Sequence, residues 1–433
     1  NTVIEVSPTA AAQLNITGTV SVAGGLKLVY DPGTYSNKSY GAIVHAGTLT
    51  GTYANTTSIN LPANATQTLT YTSTDLDLAL SGLTVSTTTG AFGDAADIAL
   101  SGGFFDVDGM VFDHIDETQF GQGADQVKTA LAGTTPMQLA MNGPLQQLAQ
   151  AGSQMSDTLA RHGAWVRGVG NFLDVDNHGA ASGFSASGGG VLAGIDHPFG
   201  PVTLGIAGGY SGTNFKQNDG ESGDIQTIRG MVYAHYVAAP QILIDGVAGI
   251  GYDRIHTSRP ITSLGSNAAE THNAWEENLA LQAGYVMPWQ GFSIIPRIGA
   301  QYLHLAENRF SESGGSGFDL SRGHQSVDSF QPLISLAALR PFALANGMRV
   351  TPEFKLTYSH ELLNPSETLA LTTPAGSIVP ANAVTPAHNT VTLGPSATLR
   401  LNESLNLFAD YKLAIGVGRS LDHVIAAGAR FTW

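Results

Sequence analysis

Two acidic stretches, "DVDNHG" (174–179) and "DVDG" (106–109), place carboxylates at i and i+2 ahead of a glycine, the spacing that opens a calcium loop. Neither completes one. In the first, His178 stands where an oxygen ligand is needed and no glutamate follows at the twelfth position; both read as solvated acidic loops. A nucleophile elbow needs G-x-S-x-G; the sequence has none, and "GGYSGT" (208–213) and "GGSGF" (314–318) miss the spacing. The G-x-G pairs in "RGVGN" (167–171) and "AGIGYD" (248–253) fall inside strand-like segments, not at the strand-to-helix turn that a dinucleotide requires. With no cysteine there is no disulfide or thiolate, and no H-E-x-x-H motif occurs. The histidines are scattered. His235, His256, His272, His304, His324, His360 and His388 are expected on or near the long-loop ends of the strands described below, where a Ser–His pair oriented by an Asn could make a surface hydrolase. No spacing pairs a serine with any of them, so no catalytic, cofactor-binding or metal residue is assigned.

The elements that would carry such groups are strands. From Ala164 onward apolar residues alternate with polar or small ones: Val350, Pro352, Phe354, Leu356 and Tyr358 against Arg349, Thr351, Glu353 and Lys355. Ile425, Ala427, Ala429, Phe431 and Trp433 likewise oppose Ala426, Gly428, Arg430 and Thr432. A soluble sandwich also alternates, but its strands average five or six residues, and these run to about ten. The connections also alternate in length. Short turns ("HPFG" 197–200, "AAPQ" 238–241, "PWQG" 288–291, "ALANG" 343–347, "NESL" 402–405) are separated by polar loops around 174–187, 216–223, 254–271, 308–326 and 362–389. That sorting belongs to a transmembrane barrel, and about 12 antiparallel strands are expected between Ala164 and Trp433. Trp165, Phe172, Tyr210, Tyr236, Tyr252, Trp275, Tyr285, Trp289, Tyr302, Tyr358 and Trp433 are expected in the interfacial girdles. Arg167, Arg229, Arg297, Lys355, Arg400, Lys412 and Arg430 are predicted to face the lumen, with Glu353 and Asp245 as their partners, because an unpaired charge cannot face lipid.

Composition agrees. Charged residues are only 12%, Gly numbers 52, and no run of 18 apolar residues could form a spanning helix. The formal charge of -15 argues against nucleic acid as a partner. The chain starts at Asn1 with no signal peptide in view, so it reads as a mature or trimmed piece.

Residues 1–103 are β-rich with another texture. Short apolar runs ("VIEV" 3–6, "LKLVY" 26–30, "AIVHAG" 42–47) lie among Thr, Asn and Ser, with turn residues every 15–20 or so, as in the rungs of a parallel β-helix. The alternative is a small sandwich. Between the two β regions, "ADQVKTALAG" (124–133) and 136–160 read as helical, broken at Asn142-Gly143-Pro144. A polar-surfaced helix entering the first barrel strand could lie inside a polar lumen.

This order of segments resembles a monomeric (type Va) autotransporter. Residues 42–80 resemble the last rungs and folding cap of a pertactin-like passenger. Residues 119–160 resemble the linker and pore helix, "HGAWVRGVGN" (162–171) the first barrel strand, and the terminal "GARFTW" an outer-membrane assembly signal. The resemblance implies three parts: passenger end 1–105, linker and pore-spanning helix 106–161, translocator barrel 162–433. It implies a non-enzymatic role in display or adhesion, no cofactor, and a monomeric barrel at the Gram-negative outer membrane with its passenger at the cell surface. Its partners would be outer-membrane lipids, the barrel assembly machinery and periplasmic chaperones. In the assembly signal it assigns Ile425, Ala427, Ala429, Phe431 and Trp433. Relatives that release their passenger carry an Asn-Asn pair in the pore helix; here Asn142 is followed by Gly143, a departure from the pattern that argues against self-cleavage and leaves Asn142 and Gly143 as the candidate point of cleavage or of a helix break. The other readings are an outer-membrane channel, or a barrel hydrolase with a soluble N-terminal β domain.

Overall fold

A computed structural model describes residues 1–31, 35, 38–62, 65–81, 108–120, 162–177, 181–261, 265–344, 347–363, 368–374, 376, 378–382 and 387–433. It is nearly all strand, with one short helix.

Seven strands form the N-terminal unit: β1 (Thr2–Val6), β2 (Leu14–Val22), β3 (Gly25–Tyr30), β4 (Lys38–Gly51), β5 (Asn55–Ile59), β6 (Thr66–Tyr71) and β7 (Asp75–Ser81). β1, β3 and β5 stack in parallel, as do β2 and β4. Ile4 sits beside Leu28, and Leu28 beside Ser58, so one coil takes 24 and then 30 residues. Each coil therefore holds two strands, and the repeat is longer than the spacing of turn residues alone suggested. Parallel rungs bury their apolar rows inward: Ile4, Val6, Leu26, Leu28, Tyr30, Ile43, Val44, Leu76 and Leu78 form one dry cluster. The stack ends when β4 pairs antiparallel with β7, and β7 with β6, which changes the edge that a further rung would extend.

The second unit is a closed barrel of twelve antiparallel strands. They are β8 (Gly163–Val175), β9 (Phe184–Phe199), β10 (Val202–Gln217), β11 (Ser222–Ala239), β12 (Ile242–Ile261), β13 (Ser266–Tyr285), β15 (Phe292–Glu307), β18 (Gln325–Leu339), β20 (Arg349–His360), β23 (Asn389–Arg400), β24 (Leu405–Gly416) and β25 (Ser420–Thr432). β14 (Met287–Trp289) and β19 (Phe342–Ala343) lengthen two short-turn hairpins. β16 (Phe310–Ser311), β17 (Ser321–Arg322), β21 (Thr368–Thr372) and β22 (Ile378–Asn382) make a small sheet at the long-loop end. Neighbours in sequence are neighbours in space all the way round, and β25 closes on β8 from Thr432↔Gly163 to Ser420↔Val175.

Alternation sets the two faces. On β11, Ile228, Val232 and Tyr236 are exposed, while Thr227, Arg229, Met231, Tyr233 and His235 are buried. The exposed row Tyr210–Ile228–Tyr252–Trp275 runs across β10 to β13 in register, and Tyr252 meets Trp275 edge-on at 5.0 Å. Tyr236, eight residues below Ile228, marks the short-turn side with Tyr285 and Trp433. Eight residues of a strand tilted about 40° span about 20 Å, comparable with the apolar band of a membrane barrel.

Three expectations change. Residues 254–271 are mostly ladder, not loop: Arg254 pairs with Asn273, and Ile261 with Ser266. Above the bilayer both faces of a strand can be polar, so polarity there does not report a loop; the buried Ile255 and Ile261 keep the alternation going. Trp165 is not in a girdle but buried in the lumen, two residues before the buried Arg167 and on the same face. His235 lies at the short-turn end, four residues before the end of β11, and is buried.

The lipid-facing assignment makes a prediction. Val232→Arg, at mid-band, should cost about 2–4 kcal/mol in reversible denaturant unfolding from phospholipid vesicles, whereas Val417→Arg, in the β24–β25 turn, should cost about 0–1 kcal/mol.

Candidate functional site: a charged helix held in the barrel lumen

The lumen is filled by α1, residues 108–120, a helix of about 20 Å. Its sequence, "DGMVFDHIDETQF", sets two surfaces. Val111, Phe112 and Ile115 pack on Trp165, Leu192, Met231, Tyr233 and Val247. Asp113, Asp116 and Glu117, at i, i+3 and i+4, share a face by helical geometry and meet the basic wall. Asp113 takes Lys355 Nζ at 2.7 Å and Lys412 Nζ at 2.9 Å. Asp116 accepts from Arg297 Nη2, and from Lys355 Nζ at 3.0 Å. Glu117 accepts from Arg167 Nη2 at 2.7 Å, and the other guanidinium arm reaches Asp410 at 2.8 Å. Arg167 is fully buried and lies over the Phe408 ring at 4.5 Å.

At the short-turn end His114 stacks on Trp165 at 4.4 Å, with Nε2 3.0 Å from Asp196. Arg430 of the last strand donates to both oxygens of Asp196, at 2.5 and 2.6 Å, and Tyr233 and Trp165 extend the network. Gln119 Nε2 donates to His235 Nε2 at 2.5 Å, and the other ring nitrogen pairs with Asp245 at 2.5 Å. Phe120 ends α1 against Leu243, Val286, Ile295 and Leu339, beside the short turns. Asp108, at its start, accepts from Asn278 Nδ2 at 2.5 Å, halfway up β13. Glycines make the room: a Cβ at Gly194 would lie 2.7 Å from the Trp165 ring, and one at Gly109 2.7 Å from Lys412 Nζ.

Of the residues assigned to the lumen, Arg167, Arg297, Lys355, Lys412 and Arg430 gather around α1 or its network, and Glu353 stands 3.9 Å from Lys355. Arg229 is bound to Glu276 on the wall. Asp245 meets His235 and Gln282, not one of those cations, through the contacts above and at 3.0 Å. Arg400 lies at the short-turn rim and donates to the Asn402 carbonyl. Ile425, Ala427, Phe431 and Trp433 are exposed on β25 and its end, and Ala429 is half-buried. Trp433 N donates to His162 O at 3.1 Å, carrying the seam one residue further.

The sequence reading missed α1. "DVDG", taken for a solvated loop, contributes Asp108 to the helix, buried and hydrogen-bonded. The signal was the acidic triplet 113/116/117 beside apolar 111, 112 and 115, matching lumen-facing cations on distant strands. The helical readings at 124–133 and 136–160, and Asn142 with Gly143, lie outside the described residues. Among the described residues no group of three or more His, Asp or Glu is placed to hold a metal ion.

A twelve-stranded barrel, apolar outside, charged inside and occupied by a helix from the segment before its first strand, is an outer-membrane translocator. Residues 164–412 match the family described as the autotransporter beta-domain. Two solved structures share the fold. The translocator domain of autotransporter NalP from Neisseria meningitidis is 16% identical, with a TM-score of 0.52 over 66% of this chain and 95% of that one. The beta domain of the Bordetella autotransporter BrkA is 18% identical, with a TM-score of 0.50 over 63% of this chain and all of that one. No curated protein matches the chain. The chain belongs to the autotransporter beta-domain family: it is an outer-membrane barrel of type V secretion that anchors and translocates a passenger.

The charge pairing predicts a coupled pair. Asp116→Leu, which strands the buried Arg297, should cost about 3–5 kcal/mol, and adding Arg297→Met should recover most of it. Denaturant unfolding of the three variants checks this double-mutant cycle.

Proposed function

We propose that this barrel displays its own N-terminal region at the cell surface in a non-enzymatic, adhesion-type role, with α1 retained in the lumen as the tether. The three parts are the passenger end 1–105, the linker and lumen segment 106–161, and the barrel 162–433. The observation that carries the reading is the polarity of α1. Phe120 sits at the short-turn end and Asp108 higher in the lumen, so the N-terminal end of α1 faces the long-loop side, the polarity that a tether to an external N-terminal region requires. Four carboxylates of α1 are spent on wall residues, an arrangement suited to holding a chain and not to turning over a substrate. The stacked Thr- and Ser-rich rungs before it supply an extended polar surface for a binding partner.

The outward row Ile425, Ala427, Ala429, Phe431 and Trp433 is the assembly signal in this reading, delivered by periplasmic chaperones and read by the barrel assembly machinery. The product is a monomeric barrel in outer-membrane lipid.

Protease treatment of intact cells should remove residues 1–81 and leave the barrel intact; full protection would favour a periplasmic N-terminal unit and refute display. Phe431→Asp, or deletion of Trp433, should lower the heat-modifiable barrel band on gels several-fold without changing synthesis.

A further inference from the structure

At the long-loop end the ionisable groups do not balance. Arg259 is committed to Glu312, at 3.0 and 2.6 Å, and to the Phe318 carbonyl at 2.9 Å. Glu270 is held by Thr257 Oγ1 at 2.9 Å and His272 Nδ1 at 2.9 Å. Arg322 is paired with Glu307. Glu221, in the β10–β11 turn, is 1% exposed, and neither of its carboxylate oxygens has a partner. Gln217, whose backbone N donates to the Glu221 carbonyl at 2.7 Å, is equally buried, and both atoms of its amide are unpartnered. Asp219, between them, also leaves Oδ2 unsatisfied, while its Oδ1 accepts from Glu221 N at 3.3 Å.

A buried carboxylate without a partner costs several kcal/mol, as does a buried amide without one. Burial, with Asp219, Glu312 and Glu270 nearby, pushes the Glu221 carboxyl well above its ordinary range, and Arg259 offsets only part of this. The site therefore demands a positive charge that the protein does not supply. A proton on Glu221 would remove its charge but would leave Asp219 Oδ2 unpartnered.

We propose that the β10–β11 turn binds a calcium ion through the carboxylates of Glu221 and Asp219 and the amide oxygen of Gln217, with water completing the shell. Hard oxygen donors of mixed charge suit Ca²⁺ over Mg²⁺, which demands a near-ideal octahedron. Two carboxylates set a weak site, matched to the millimolar calcium outside a cell. The ion would brace the outer mouth. Asn218, in the same turn, donates its backbone N to Gly183 O at 3.0 Å and its side chain to Asn177 Oδ1 at 2.9 Å, which ties this turn to the first long loop.

The test uses the full chain without a histidine tag, in detergent, after chelator treatment. Titrated CaCl₂ should bind with a dissociation constant of about 0.1–1 mM by calorimetry and raise the unfolding temperature, with MgCl₂ about tenfold weaker. Glu221→Gln should weaken calcium binding at least tenfold, and Glu403→Gln, in the opposite β23–β24 turn, should leave it unchanged. If Glu221→Gln does not fold, Asp219→Asn, at a less buried position, should weaken binding in the same way. No calcium binding, or binding indifferent to these variants, overturns the proposal. So does a protein stabilised by acidification alone, which would mean that a proton satisfies Glu221.

Discussion

Inside a bilayer no water can satisfy a backbone N–H or C=O, and the rest of this structure follows from that constraint. A sheet meets it only by closing, so the seam between β25 and β8 is what makes the other eleven strand pairs tenable. Closure fixes which face each residue takes. The lipid side must then be apolar, which puts Val232, Ile298 and Phe354 outside, and the charged residues have only the lumen left to them. The Phe–Trp ending belongs to the same requirement: Phe431 and Trp433 stack at 5.9 Å on the outer side of the closing strand while Arg430 points in.

The lumen inherits a second constraint. Charges confined there need partners, and the wall carries Arg167, Arg297, Lys355 and Lys412 on strands far apart in sequence. α1 answers with Asp113, Asp116 and Glu117. Each pair breaks roughly even against an apolar replacement, but an incomplete set is costly, so the pairing specifies one depth and rotation of the helix more than it adds stability. His114 on Trp165, with Asp196 and Arg430 beside it, couples the same helix to the closing strand. The wall that holds α1 also includes both strands of the seam, Arg167 on β8 and Arg430 on β25.

The alternation of β8 to β25 was legible residue by residue because lipid imposes it, and so was the sorting of short turns from long connections. Parity carried more than was taken from it: once Arg167 faces inward, Trp165 must as well. What could not be read was α1. Thirteen residues with two faces look like many surface helices, and their acidic triplet becomes meaningful only against cations 50 to about 300 positions away. The orphaned Glu221 and Gln217 are equally silent in sequence, since a glutamate in a turn is ordinarily solvated and its burial is set only by the folded structure.

The sequence by itself determined the class of fold, the number of barrel strands and the face that most of their residues present, because period-two patterning against lipid is a local property of each strand. Tertiary structure alone decided which segment enters the lumen, which carboxylate meets which cation, and where a charge is left without one. Those outcomes depend on distances between strands that only barrel closure sets.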